Sequence, residues 1–196
     1  MTWWLRVHRT LALLGLTVTL TVFSIAVGPI GMLFPSFGGG TPFAMIPVAA
    51  VVPLVISIAT GASISRSPFP APVRRTDLLE LAAVLTVLAL VGLIAAIGSA
   101  LGVAPELSIA TVRNSIAFCG LVIASRVVFG DRYQSVPGVV YLFVAALFGR
   151  GTPGNPAAWA GVVTTSTDPG SWAFALPIVL TAVIALGVQQ RHGRIR

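Results

Sequence analysis

No charged residue occurs between Arg9 and Arg66, and none between Glu80 and Glu106. Runs of that length cannot be hidden in the core of a water-soluble domain of this size. They constrain the chain more than any other feature, because long uncharged apolar segments of about 20 residues are what a bilayer accepts as spanning helices. Composition agrees: 56% of residues are hydrophobic and 9% charged, against about a quarter charged in soluble domains. Lipid is therefore the expected solvent, and 196 residues suffice for one compact membrane domain.

Six apolar segments follow, at about 11–31, 43–61, 79–101, 108–128, 134–149 and 171–190. The expected fold class is all-α, a single polytopic domain over 1–196 with six transmembrane helices. "FPSFGGGTP" stops the first helix with proline and glycine. The fifth segment is short, with Pro137 near its start. Pro47, Pro53 and Pro177 read as kinks in spans 2 and 6, whose freed carbonyls neighbouring helices satisfy.

The basic residues set the orientation. All twelve are arginine. With six spans, Arg6, Arg9, Arg66, Arg74, Arg75, Arg126, Arg132, Arg191, Arg194 and Arg196 share one side, leaving Arg113 and Arg150 on the other. The positive-inside rule then puts both termini in the cytoplasm. The expected location is a bacterial inner membrane, multi-pass. The net charge of +7 is the mark of lipid-facing topology and not of nucleic acid binding. "MTWWLRVHR", an apolar run and "SIA" also fit a signal peptide, but cleavage would spoil the arginine balance. Residues 1–10 are read instead as an interfacial segment, with Trp3 and Trp4 at headgroup depth.

Several chemistries are excluded. Without lysine there is no phosphate-binding loop of the GxxxxGK[ST] kind and no Schiff base. His8 and His192 lie at the termini, and Asp77, Glu80, Glu106, Asp131 and Asp168 fall at loops or span ends. No histidine or carboxylate pair stands at mid-depth for proteolysis, metal binding or a proton relay. No catalytic residue, metal or cofactor is expected. Cys119 is alone and reads as a small apolar helix residue.

Span 4 is the most polar. Twelve uncharged residues separate Arg113 from Arg126, about 18 Å of helix against a hydrocarbon core of ~30 Å. Either both guanidinium groups snorkel to opposite surfaces, or one faces the protein interior. Arg113, Asn114 and Arg126 are the candidate interior or interface polar residues, with Arg113 and Asn114 at the outer end of an interior pathway or a subunit interface. Gly98/Gly102 and Gly120/Ala124 have small-xxx-small spacing for close helix contact. Outer loop 150–170 carries "NPAAWAGVV", an apolar helical piece with Trp159 that suits either the outer interface or a re-entrant position beside protein; Trp159 and Trp172 are the outer interfacial anchors.

Loop 62–78 holds "RSPFPAPVRRTD". Positive-inside topology accounts for its arginines but not for its proline–phenylalanine segment, which implies a shaped surface. Together with "RNSIAFCGLVIASRVV" in span 4 and "DPGSWAFALPIVL" leading into span 6, the layout resembles the permease subunits of ABC transporters of the second exporter superfamily, of the drug- and antibiotic-exporting type. Within that family it looks most like the compact permease-like proteins of GC-rich bacteria. The resemblance implies that the loop couples to a separate cytoplasmic ATPase subunit, with Arg66, Pro68, Phe69, Arg74, Arg75 and Asp77 at the contact. It also implies paired permease chains, homo- or heterodimeric, exporting an amphipathic or peptide-like compound along their interface. The rival reading is an accessory subunit of another membrane complex, or a small channel or carrier.

Overall fold

A computed structural model of the chain describes residues 9–27, 30–37, 43–65, 76–149, 157–165, 167 and 169–193. The fold is mostly helical. Its elements are α1 (Thr10–Ala26), β1 (Gly31–Pro35), β2 (Phe43–Pro47), α2 (Val48–Ile64), α3 (Thr76–Ala100), α4 (Pro105–Phe129), α5 (Val136–Phe148), two 3-10 segments (Ala158–Val163 and Pro169–Trp172) and α6 (Ala175–Gly193). Two helical stretches, Leu79–Ala100 and Pro105–Phe129, are long and apolar enough to cross a membrane, while the other apolar helices are shorter.

The all-α expectation needs correcting between α1 and α2. There, β1 and β2 pair antiparallel, with Met32 opposite Ile46 and Phe34 opposite Ala44. Pro35 and Pro47 leave apolar runs too short to nucleate a helix, and a strand pair satisfies their backbone instead. Ile46 is buried with Ala50 and Ala146, and Phe34 packs against that group. The opposite face, Leu33, Met45 and Phe43, is exposed and apolar. As a result α1 ends five residues before the expected 31 and α2 begins at Val48 instead of 43.

Prolines mostly sit where helices begin. Pro105 and Pro137 lie in the first turns of α4 and α5, where the missing N–H costs nothing. Pro47 precedes α2, and Pro177 falls in the first turn of α6, so neither kinks a span as expected. Only Pro53 is internal, in α2. The GxxxG of span 3 also divides into two roles. Val103 N–H bonds Gly98 O (2.9 Å) and Gly102 N–H bonds Ser99 O (3.0 Å), and Gly102 has φ +73. This is the glycine-terminated helix stop that a left-handed residue permits, and Gly98 instead faces Ile25 and Ser108 within the same bundle.

α4 is the central helix and packs on α2, α3 and α6. It buries Ala110, Ala117, Phe118 and Val122, along with Arg113 and Asn114. Gly120 is where α6 approaches closely, its Cβ position lying 3.1 Å from Ile178 Cγ2. A second apolar cluster joins Leu13, Val52, Ile56, Val87 and Val91 from α1, α2 and α3. α3 turns much of its surface outward, with Leu85, Leu93 and Ile97 more than half exposed.

Candidate functional site

A guanidinium inside an apolar bundle is tolerated only if its donors find acceptors. Arg113 is 0% exposed, and its acceptors are main-chain carbonyls of the first 3-10 segment and the residue beyond it. Nη2 donates to Gly161 O and Thr164 O, both at 2.6 Å, and Nε donates to Asn114 Oδ1 at 3.3 Å. Asn114 Nδ2 donates to Val162 O at 2.8 Å. Two adjacent α4 side chains thus gather three carbonyls from a segment that has too few residues to satisfy its own backbone.

Aromatic rings close the arrangement. The Arg113 guanidinium carbon lies 5.6 Å from the Phe174 ring centroid, within cation–π range. Tyr141 stacks on Phe174 at 6.0 Å and meets Phe118 edge-on at 6.4 Å. Its hydroxyl donates to Trp159 O at 2.6 Å. Gly161 makes the close approach possible, because a Cβ there would stand 2.5 Å from Phe174 Cδ1 and 2.6 Å from Ser171 O. Arg113 sits eight positions into α4, about 12 Å along its axis from Pro105. The 3-10 segment therefore docks well down the helix flank and not at its tip.

The other end of α4 holds a second polar group. Arg126 Nη1 bonds Glu80 Oε2 at 2.6 Å, and its Nε bonds Asp131 Oδ1 at 2.5 Å. Glu80 belongs to the first turns of α3, and Asp131 to the turn between α4 and α5. Nearby, Gln134 Nε2 donates to Ser65 Oγ at 2.8 Å, and Ser65 Oγ donates to Gly61 O at 2.9 Å. Ser65 and Glu80 flank segment 66–75. One foot of the expected coupling loop is consequently tied to the turn 130–135, through Gln134, and the other to the last turn of α4, through Arg126. Surface ion pairs contribute little alone, but Arg126 and Glu80 are partly shielded, at 23% and 16% side-chain exposure.

Of the residues singled out in the sequence, Arg113 and Asn114 come together with segment 158–164, and Arg126, near the opposite end of α4, with Glu80 and Asp131. Arg66, Pro68, Phe69, Arg74 and Arg75 lie outside the described residues, as do Trp3 and Trp4; Asp77 lies in the first turn of α3, its side chain outside the described set. Trp159 is 43% exposed and Trp172 half-buried. Tyr141, Phe174, Gly161 and Gln134 carried no recognisable signal in the sequence, because each acts by packing or by bonding across long chain separations. Cys119 is buried and unpaired, as its apolar setting implied. Among the described residues no cluster of acids, histidines and cysteines could hold a metal. No protein-family model matches the chain, and neither does any curated protein or solved structure.

Proposed function

We propose that the chain is a six-span inner-membrane permease subunit with both termini in the cytoplasm. In this reading it couples through residues 62–80 to a separate ATPase and exports an amphipathic or peptide-like compound. The observation that carries it is the double tether of that loop, Ser65 to Gln134 at one foot and Glu80 to Arg126 at the other, with Asp131 holding the same guanidinium. A loop fixed at one foot to the α4–α5 turn and at the other to the end of α4 transmits a push from a docked partner into α4, the central helix. A loop serving only as a positive topology anchor has no need of such feet. Segment 158–164 supports the membrane half of the reading. As a re-entrant element it requires its carbonyls to be satisfied by protein, and Arg113 and Asn114 supply the donors. The chain pairs with a second permease chain, and the substrate passes between the two.

The test is a mild-detergent pull-down of the tagged chain from its host, with co-purifying chains identified by mass spectrometry. A stoichiometric subunit with a GxxxxGK[ST] loop is expected. Replacing Arg74 and Arg75 with glutamate should reduce its recovery at least tenfold while membrane insertion is unchanged. Undiminished recovery from that variant would remove the loop from the contact, and absence of any ATPase would overturn the permease reading.

A further inference from the structure

Between α1 and α4 runs a seam of hydroxyl groups that the arginine site does not use. Ser24 and Thr21 of α1 and Ser108, Thr111 and Ser115 of α4 are all at most 1% exposed. Ser24 Oγ and Thr111 Oγ1 stand 3.4 Å apart, at the long limit of a hydrogen bond. Thr21 Oγ1, Ser108 Oγ and Ser115 Oγ have no hydrogen-bond partner among the described residues. By contrast Thr17, one turn further along α1, bonds its own helix at Leu13 O (2.8 Å).

Helix direction brings these groups to common levels. The built Cβ of Gly98 on α3 meets both Ile25 of α1 and Ser108 of α4. Leu13 clusters with Val87 and Val91, so α1 runs parallel to α3. α4 returns from α3 through the turn 101–104 and is antiparallel to α1. One turn below the Ser24–Thr111 pair, Thr21 and Ser115 therefore share a level. From Ser108 to Ser115 the seam extends about 10 Å along the axis.

Buried hydroxyls are nearly always paired, and a run of three unpaired ones on facing helices needs a ligand that both donates and accepts. The described acid closest in sequence, Glu106, is exposed, and the seam itself carries no charge, which favours a neutral ligand over an ion. We propose that this seam is a binding site for internal water, bridging α1 to α4 from the Ser108 level to the Thr21–Ser115 level. Internal waters make about two to four hydrogen bonds to otherwise unsatisfied groups; Thr21 and Ser115 offer two at their level, and Ser108 with the Ser24–Thr111 pair offers up to three at the other end.

The near-isosteric Thr21→Val change distinguishes a wet seam from a dry one. If Thr21 binds water, the variant should melt about 2–4 °C lower, the size of one lost hydrogen bond in a chain of this length. If the hydroxyl is dry, removing it should raise the midpoint. X-ray radiolysis of the unaltered protein in detergent gives an independent reading, since bound water generates hydroxyl radicals in place. Ile25, which is 6% exposed but adjoins the seam, should be oxidised, and Val87 and Val91, fully buried in the apolar cluster, should not. A raised midpoint for Thr21→Val, or an Ile25 as unreactive as Val87 and Val91, would overturn the proposal.

Discussion

Replacing Arg113 with methionine is expected to lower the thermal midpoint of the purified chain by about 10 °C. Methionine matches much of the volume but removes the two charge-assisted bonds to Gly161 O and Thr164 O and the contact with the Phe174 face. Hydrogen bonds to charged groups contribute about 1.5–3 kcal/mol each. Losing both therefore costs about 3–6 kcal/mol, and in a chain of this length about 2–4 °C follows each kcal/mol. Arg113→Lys should recover little, because a single ammonium on a flexible stem cannot reproduce the planar fork. The chain carries its own reporter: Cys119 is its only cysteine and is buried, so a thiol-reactive dye signals unfolding. A methionine variant that melts with the parent would show that the carbonyl contacts contribute nothing.

Gly161→Ala is expected to dislodge the same segment by a different route. The added methyl would meet two Phe174 ring carbons at 2.5 and 2.6 Å and the Ser171 carbonyl oxygen at 2.6 Å. The ring could rotate away, but the carbonyl belongs to backbone and cannot. Overpacking of this kind costs about 1–3 kcal/mol, here with loss of docking, since Gly161 O is also an Arg113 acceptor. Combining the two changes gives the sharper result. If both act through the docked segment, the double variant should melt close to the worse single variant, because coupled sites are not additive. Strict additivity would mean that the glycine and the arginine support separate features.

Much of the helical layout was legible from composition and proline placement, because apolar run length speaks directly to helix length. The hairpin was not. Its strands are as apolar as the helices beside them, and an apolar run bounded by glycine and proline does not by itself distinguish a short strand from the end of a helix. For span 4, the ~18 Å between its two arginines left two outcomes open, snorkelling at both ends or one guanidinium turned inward. That Arg113 turns inward is not legible there, because the acceptors are carbonyls 48 and 51 positions away, and a carbonyl leaves no trace in residue identity. Arg126, Glu80 and Asp131 were visible as charges near span ends, but their meeting depends on how α3 and the α4–α5 turn pack. The buried hydroxyls of α1 and α4 left no signal in the sequence, because serine and threonine in apolar helices usually bond their own backbone, as Thr17 and Thr60 do here.

The central claim is a membrane domain of six crossings with the 62–80 loop in the cytoplasm. Single cysteines introduced into a Cys119→Ala chain test it most directly, each probed in intact cells with a membrane-impermeant maleimide. Labelling from outside is expected for Gly38→Cys, Val103→Cys and Pro153→Cys. Pro70→Cys and Ile195→Cys should react only after the membrane is permeabilised. Labelling of Pro70→Cys from outside, or of Gly38→Cys from inside alone, would contradict the account and detach the 62–80 loop from any cytoplasmic partner.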